Sequence, residues 1–208
     1  MLTLPTPAHD PNRTSIARAV EVLRTGGVVA YPTDTFYGLA VDPRNDAGVA
    51  RLYELKGRDS REAIPLVASS ILQAQGAGVF DERAGKLAAA FWPGPLTIVV
   101  PARPGIARRI LGHRRTIAIR VAAHAVAQAL AEAHGFPITS TSANRSGQPP
   151  AASARDLENA HLSDVDVLLD SGPSPGGQPS TIVEMATDGP RLVRAGAIAW
   201  KRVLESLE

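Results

Sequence analysis

The chain has 208 residues, 44% of them hydrophobic, which is enough apolar material for a proper core. Lysine plus arginine (22) nearly balances aspartate plus glutamate (20), so nucleic-acid binding would have to come from a local patch, not from bulk charge. Cysteine is absent, which excludes disulfides, thiolate nucleophiles and cysteine metal sites. No N-terminal stretch has the pattern of a signal peptide, and no apolar run approaches the roughly 20 residues of a membrane span. The expectation is a soluble cytoplasmic protein with no membrane partner.

Residues 1–12 carry three prolines and little periodicity, and read as an extended N-terminal arm. Asn12 or Thr14 can cap a helix over Ser15 to Thr25, with Ile16, Ala19, Val20 and Leu23 on one face. Gly26-Gly27 ends it, and Val28 to Tyr31 reads as a buried strand stopped by Pro32. A polar turn, Thr33-Asp34-Thr35, leads to Phe36-Tyr37-Gly38-Leu39; its hydroxyls and its glycine suit a loop that faces a ligand. A helix over Ala47 to Leu55 runs into Lys56-Gly57-Arg58, and after a charged turn a strand is expected at Ile64 to Ala68. Helices follow at Glu82 to Ala90 and Ala123 to Glu132, with strands at Leu96 to Val100, Thr116 to Val121 and from Ile138. Ser153 can cap a short helix. Strands at Val165 to Leu169, Thr181 to Val183 and Leu192 to Arg194 precede a last helix ending near Leu207. Strands and helices alternate without repeats or a clean linker, so the expectation is a single α/β (α+β) domain over residues 1–208.

Two features favour chemistry over scaffolding. Lysine occurs only at positions 56, 86 and 201, so Lys56 stands out in an arginine-biased chain; a compact ammonium suits a single phosphate or carboxylate oxygen. The run Thr139-Ser140-Thr141-Ser142-Ala143-Asn144 is a second concentration of small polar side chains. No Ser-His-Asp set, Walker loop or metal-ligand cluster is apparent.

The combination of Pro32-Thr33-Asp34-Thr35-Phe36-Tyr37-Gly38-Leu39 with Lys56, Arg58, Pro65 and Leu66 resembles the YrdC/TsaC family of threonylcarbamoyl-AMP synthases. Further segments match in order: Phe91 to Thr97, Ile119-Arg120-Val121, Pro137 to Gly147, Pro179 to Ile182, and Leu192 to Gly196. The resemblance covers nearly the whole chain. It implies a twisted mixed sheet with flanking helices around a concave basic cleft, and synthesis of threonylcarbamoyl-AMP and pyrophosphate from L-threonine, bicarbonate or CO2, and ATP. The product serves tRNA modification through downstream threonylcarbamoyl-transfer proteins, and tRNA or double-stranded RNA is a further candidate partner. Carried onto this chain, the resemblance gives Lys56 and Arg58 catalytic roles. Lys56, Arg58, Ser140, Ser142, Asn144, Ser180 and Arg194 would bind ATP, and Thr35, Arg58 and Arg120 would bind threonine. Mg²⁺ is expected to arrive on ATP, with no protein metal site.

Competing readings stand beside these. Ser140, Thr141 and Ser142 also read as turn or capping residues, and Arg120 as the structural partner of an acid such as Asp42 or Asp170. His124 reads as a capping or surface residue, and Arg103, Arg108, Arg109, Arg114 and Arg115 as a solvated face or an RNA contact. The Gly172–Pro179 loop reads as a lid or as a plain connection. The chain departs from the family at Ile64, Ser69 and Ala122. A non-enzymatic RNA-binding module of the same fold is the alternative function. A carbamoyl-transfer domain is a third, and it normally comes fused to partners.

Overall fold

A computed structural model describes residues 1–57, 62–160, 162, 164–186 and 188–208. The first strand, β1 (Leu2–Pro5), falls within the segment expected to be an arm. It pairs in parallel with residues 167–170, an alignment that sequence periodicity does not reveal because the strand is short and Pro5 and Pro7 interrupt the pattern. Helix α1 (Arg13–Arg24) starts at Asn12, whose Oδ1 accepts the Thr14 N–H at 2.9 Å. Its apolar face is the expected Ile16, Ala19, Val20 and Leu23, all buried. Gly27 lets the chain turn tightly away from it, since a Cβ there would lie 2.4 Å from Val22 Cγ1.

Strands β2 (Val29–Tyr31) and β3 (Gly38–Ala40) form an antiparallel pair around the loop 32–37. Helix α2 (Asp46–Lys56) is capped by Asn45 and ends at Gly57 in the left-handed region (φ 57°), a glycine conformation. Strand β4 (Leu66–Ala68) is followed by α3 (Ile71–Ala77), an element not expected from the sequence, although Ser70 caps it through the Gln73 N–H at 3.2 Å. Then come α4 (Glu82–Phe91), β5 (Leu96–Pro101), β6 (Thr116–Val121), α5 (Ala125–His134), β7 (Ile138–Thr139), β8 (Thr141–Ser142), α6 (Ala154–Asn159) and β9 (Val167–Asp170). The chain ends with β10 (Thr181–Ala186), β11 (Gly189–Arg194) and α7 (Trp200–Glu205). Helix α5 starts two residues later than expected because His124 caps it, its Nδ1 accepting the Val126 N–H at 3.3 Å.

The strands form two mixed sheets where one was expected. Five lie in the order β1-β9-β2-β3-β8, and six in the order β11-β10-β5-β6-β4-β7. Strand partners are chosen by tertiary packing, which local propensity does not report. The chain passes between sheets at Ser140: Ile138 and Thr139 pair with β4, while Thr141 and Ser142 pair with β3. The main core fills the space under α2, α4 and the six-stranded sheet. A second cluster joins α1 and α5 to β2 and β9. Leu23 and Leu130 in that cluster are fully buried, each adding roughly 1.5–3 kcal/mol of transfer free energy. Among the described residues no helix is long and apolar enough to cross a membrane.

Asp42 locks the turn between β3 and α2. Its Oδ1 accepts Arg44 N–H and Nε–H, both at 2.9 Å, its Oδ2 accepts Arg44 Nη2–H at 2.9 Å, and His134 Nε2 stands 3.4 Å from Oδ2. Burial alone would raise the Asp42 carboxyl; the neighbouring His134 and the Arg44 hydrogen bonds outweigh it and hold the group well below the ordinary carboxylate range. A depressed folded pKa contributes stability that is full above the unfolded value of about 4 and fades as pH falls below it toward the folded value. Asp42→Asn should therefore cost about 2–3 kcal/mol in urea unfolding at neutral pH. The gap to the parent chain should close in strong acid; a gap unchanged there would show that the charge contributes nothing.

Candidate active site

Pro32 ends β2 and starts a turn whose side chains satisfy one another. Thr33 Oγ1 donates to the Phe36 carbonyl at 2.7 Å, accepts the Thr35 N–H at 3.1 Å, and lies 3.2 Å from Thr35 Oγ1. Arg120 reaches this turn from β6 in the other sheet. Its Nη1 donates to Asp34 Oδ1 at 2.6 Å, and its Nη2 to Thr33 Oγ1 at 3.3 Å. The pair is buried, with 7% and 11% side-chain exposure. The structural reading of Arg120 thus holds, with Asp34 as the acid. Asp42 is engaged by Arg44, and Asp170 accepts from Gly172 N–H. Arg120 nonetheless lines the cavity, and its Nε–H makes no hydrogen bond to the described residues. It can brace the fold and still offer a donor to an anion.

The cavity has a volume of about 730 Å³, within the range of small-molecule and cofactor sites. Its floor is one face of the six-stranded sheet: Thr97 and Val99 from β5, Thr116, Ala118 and Arg120 from β6, and Ile182 and Glu184 from β10. The facing wall is Thr35 to Gly38 and Ser140 to Ser142, and the rim includes Gly177, Pro179 and Arg194. At that rim Arg194 Nη2 donates to the Ser180 carbonyl at 2.8 Å and to Ser180 Oγ at 3.0 Å, and Ser180 Oγ lies 2.9 Å from Thr97 Oγ1. Gly196 is required beside it, because a Cβ there would lie 2.3 Å from the Pro179 carbonyl oxygen. Gly176 N–H donates to the Thr35 carbonyl at 2.8 Å, so the Gly172–Pro179 loop is pinned to the polar turn.

Lys56 is held by the 139–148 segment. It is 3% exposed and lies behind the cavity wall, its Nζ donating to the Ser142 carbonyl at 2.7 Å and to Asn144 Oδ1 at 2.9 Å. Ser142 Oγ donates to the same Asn144 oxygen at 2.6 Å. Asn144 Nδ2 donates to the Gln148 carbonyl, and Ser146 N–H to the Lys56 carbonyl at 2.9 Å. The helix terminus and the 139–148 segment are therefore one unit. Of the residues expected to bind ligands, Thr35, Arg120, Ser140, Ser142, Ser180 and Arg194 line one cavity. Lys56 and Asn144 stand behind Ser142, and Arg58 lies outside the described residues. The expected basic character of the cleft is not carried by this lining, which among described residues holds two guanidinium groups and one carboxylate. Arg120 is moreover offset by Asp34.

Sequence reasoning quoted Thr33, Asp34 and Thr97 within motifs without giving them roles, and passed over Glu184. Their signal was the period of two: Ser180, Ile182 and Glu184 must share a face if Ser180 faces a site. Burial pushes the Tyr37 phenol up to about 12, so it stays protonated at neutral pH. It donates to the Gly172 carbonyl at 2.7 Å and ties the wall to the loop. Burial pushes His124 down against the opposing pull of Asp34, which fits the lone-pair acceptor its capping role needs.

The Sua5/YciO/YrdC family model, described as "Telomere recombination", matches residues 21–196. The chain belongs to the Sua5/YciO/YrdC family. A threonylcarbamoyl-AMP synthase of Alkalilimnicola ehrlichii is 43% identical over 169 residues, covering 81% of this chain and 88% of that protein. The P. abyssi Sua5 structure, a complex with L-threonine, superposes with a TM-score of 0.93 at 30% identity, covering 99% of this chain. The chain spans 61% of the length of that structure. E. coli YciO superposes with a TM-score of 0.87 at 27% identity over 97% of this chain and 98% of its own. The single-domain α/β class expected from the sequence is thus that of the family.

The Arg120–Asp34 pair gives a test of how family members hold this site together. Asp34→Ala leaves a buried guanidinium without its acid and should cost about 3–5 kcal/mol in equilibrium unfolding. Asp34→Leu combined with Arg120→Met should recover most of that loss. A single-variant cost under about 1 kcal/mol would mean that the pair behaves as a screened surface bridge.

Proposed function

We propose that this chain is an L-threonylcarbamoyladenylate synthase, a nucleotidyltransferase supplying tRNA threonylcarbamoyl modification. The observation that carries the proposal is one cavity of nucleotide size in which hydroxyls of Thr35, Ser140, Ser142 and Ser180 converge with the guanidinium groups of Arg120 and Arg194. The similarity to synthases by name, and to a threonine-bound structure, supports it.

In this reading the threonine carboxylate meets the donors of Arg120, and its hydroxyl meets Thr35. The neutral amine captures CO2 to give a carbamate, losing one proton. The carbamate oxygen attacks the α-phosphorus of ATP, and the bond to the pyrophosphate oxygen breaks. Charge grows on the equatorial α-phosphate oxygens, where Arg194 and the 139–148 segment braced by Lys56 supply fixed donors. Ser140 and Ser180 orient the nucleotide, and Arg58 adds the second cation of the signature. Much of the rate enhancement is then positioning of preorganised groups.

ATP enters as its Mg²⁺ complex. Among the described residues no cluster of three or more His, Asp or Glu side chains forms a metal cage, and the hydroxyl-rich lining suits a metal that keeps its own water. Downstream threonylcarbamoyl-transfer proteins would receive the product in the cytoplasm.

The alternative, a non-enzymatic RNA-binding module, draws on the exposed Arg103, Arg108, Arg109, Arg114 and Arg115. It gives no account of the Lys56–Ser142–Asn144 unit, since phosphate-backbone binding needs charge and not that polar geometry. Incubation with ATP, L-threonine and bicarbonate should yield threonylcarbamoyl-AMP by mass spectrometry, with pyrophosphate release that requires threonine. Threonine-independent pyrophosphate release would remove the substrate assignment. Lys56→Ala should lower turnover roughly 10²–10³-fold, the scale of one lost charge-stabilising donor set. Near-parental turnover in that variant would show that catalysis does not depend on the Lys56 brace.

A further inference from the structure

The cavity floor changes character along the strands. Register places Ile182 beside Thr97, and in the next row Glu184 beside Val99, which stands beside Ala118. All of these line the cavity, as does Val193. One end therefore holds hydroxyls and guanidinium groups at Ser180, Thr97 and Arg120. Ile182 in that row leads to an apolar shelf of Val99 and Ala118 in the next, with the Glu184 carboxylate at one margin and Thr116 beyond Ala118.

Glu184 is the one carboxylate among the described lining residues. An ionised carboxylate only accepts hydrogen bonds, and it repels phosphates. In a cavity proposed to take a polyanion it must face a neutral donor at a distance from the charge. Its cross-strand neighbour Arg191 does not satisfy it: the contact is 3.9 Å, Arg191 is 63% exposed, and that guanidinium also approaches Asp188 at 3.8 Å. No hydrogen bond to a described residue engages the Glu184 side chain.

We propose that Glu184 determines nucleobase specificity by accepting a hydrogen bond from the exocyclic amine of adenine, whose ring lies on the Val99–Ala118–Ile182 shelf. The inference rests on the reading of this cavity as the ATP site. Four residues of strand separate Ser180 from Glu184, about 13 Å. That span suits the end of a nucleoside opposite its phosphates better than the sugar between them. The flat apolar shelf beside the carboxylate suits a planar base more than a ribose. A carboxylate at that edge welcomes an amine and rejects the carbonyl that guanine and hypoxanthine carry at the same ring position.

Calorimetric binding of AMP, IMP and 2′-deoxy-AMP to the whole chain and to Glu184→Ala and Glu184→Gln separates the outcomes. The parent chain should prefer AMP to IMP by roughly 10–100-fold, the range of a lost hydrogen bond to a charged, partly buried acceptor. Glu184→Ala should weaken AMP about tenfold or more and leave IMP within about twofold, and Glu184→Gln should narrow the preference by giving IMP a donor. Synthesis assays with ATP and ITP should follow the same order. Equal parental affinity for AMP and IMP, or equal weakening of both in Glu184→Ala, overturns the inference while leaving the synthase reading intact. An effect that disappears with 2′-deoxy-AMP also overturns it, by assigning Glu184 to the ribose. Failure of every purine nucleotide to bind the parent chain overturns the synthase reading and this inference together.

Discussion

Arg120 and Asp34 form the contact on which the site depends, because each belongs to a different sheet. Asp34 lies in the loop between β2 and β3, and Arg120 near the end of β6. Their 2.6 Å pairing fixes one end of the cavity by joining its floor to its facing wall. A buried ion pair is weak evidence for net stability, since the desolvation of two charges offsets most of the attraction. What it supplies is geometry. The guanidinium plane is set by Asp34, Thr33 and the Gly94 carbonyl, so a donor that remains unused has a fixed direction before any ligand arrives. One Asp34 oxygen is buried without a hydrogen-bond partner among the described residues, a cost the fold tolerates at this point.

The same division of labour recurs at Ser140, where the chain leaves one sheet for the other. A strand continuing straight through 138–142 would stay in one sheet and turn Thr139 and Thr141 to the same face. The crossing instead splits Thr139 from Thr141. The Thr139 hydroxyl is spent on the fold, accepting the Val41 N–H and donating to the Leu39 carbonyl, while Ser140 and Ser142 reach the cavity. Lys56 then braces the far side of that turn. Its rarity in the chain pointed to a polar role, and the structure gives one reason that arginine would fit poorly: a compact ammonium can enter the small space between the Ser142 carbonyl and Asn144 Oδ1.

These particulars show what was legible in the sequence. Capped helices were readable because a cap is local: Asn12 and Ser153 each close a turn within three residues. Motif residues were readable as a set because their types and order are distinctive. The split into two sheets was not, since it is decided at one residue by pairings to distant strands. Strand β1 was hidden by prolines, and its partner lies more than 160 residues away. Whether a motif residue faces the cavity or stands behind it was equally hidden. Lys56 and Ser142 belong to two matched segments that meet, yet one is the brace and the other the lining.

Among the described residues the cavity lining has few formal charges for a place proposed to take ATP, and most of it consists of hydroxyls, small residues and apolar side chains. This is physically coherent for a site that must exclude water from a mixed anhydride and yet release a charged product. A dense basic cleft would hold pyrophosphate tightly and slow each turnover, whereas a few oriented donors act most where charge grows at the α-phosphorus. The exposed arginines of residues 103–115 are separate from that requirement. They are solvated, and none of them enters an ion pair within hydrogen-bonding reach among the described residues, so any polyanion they attract would be held through screened, salt-sensitive charge. The chain thus separates long-range attraction on its surface from short-range orientation in its cavity, and only the second requires the two sheets to be held in register.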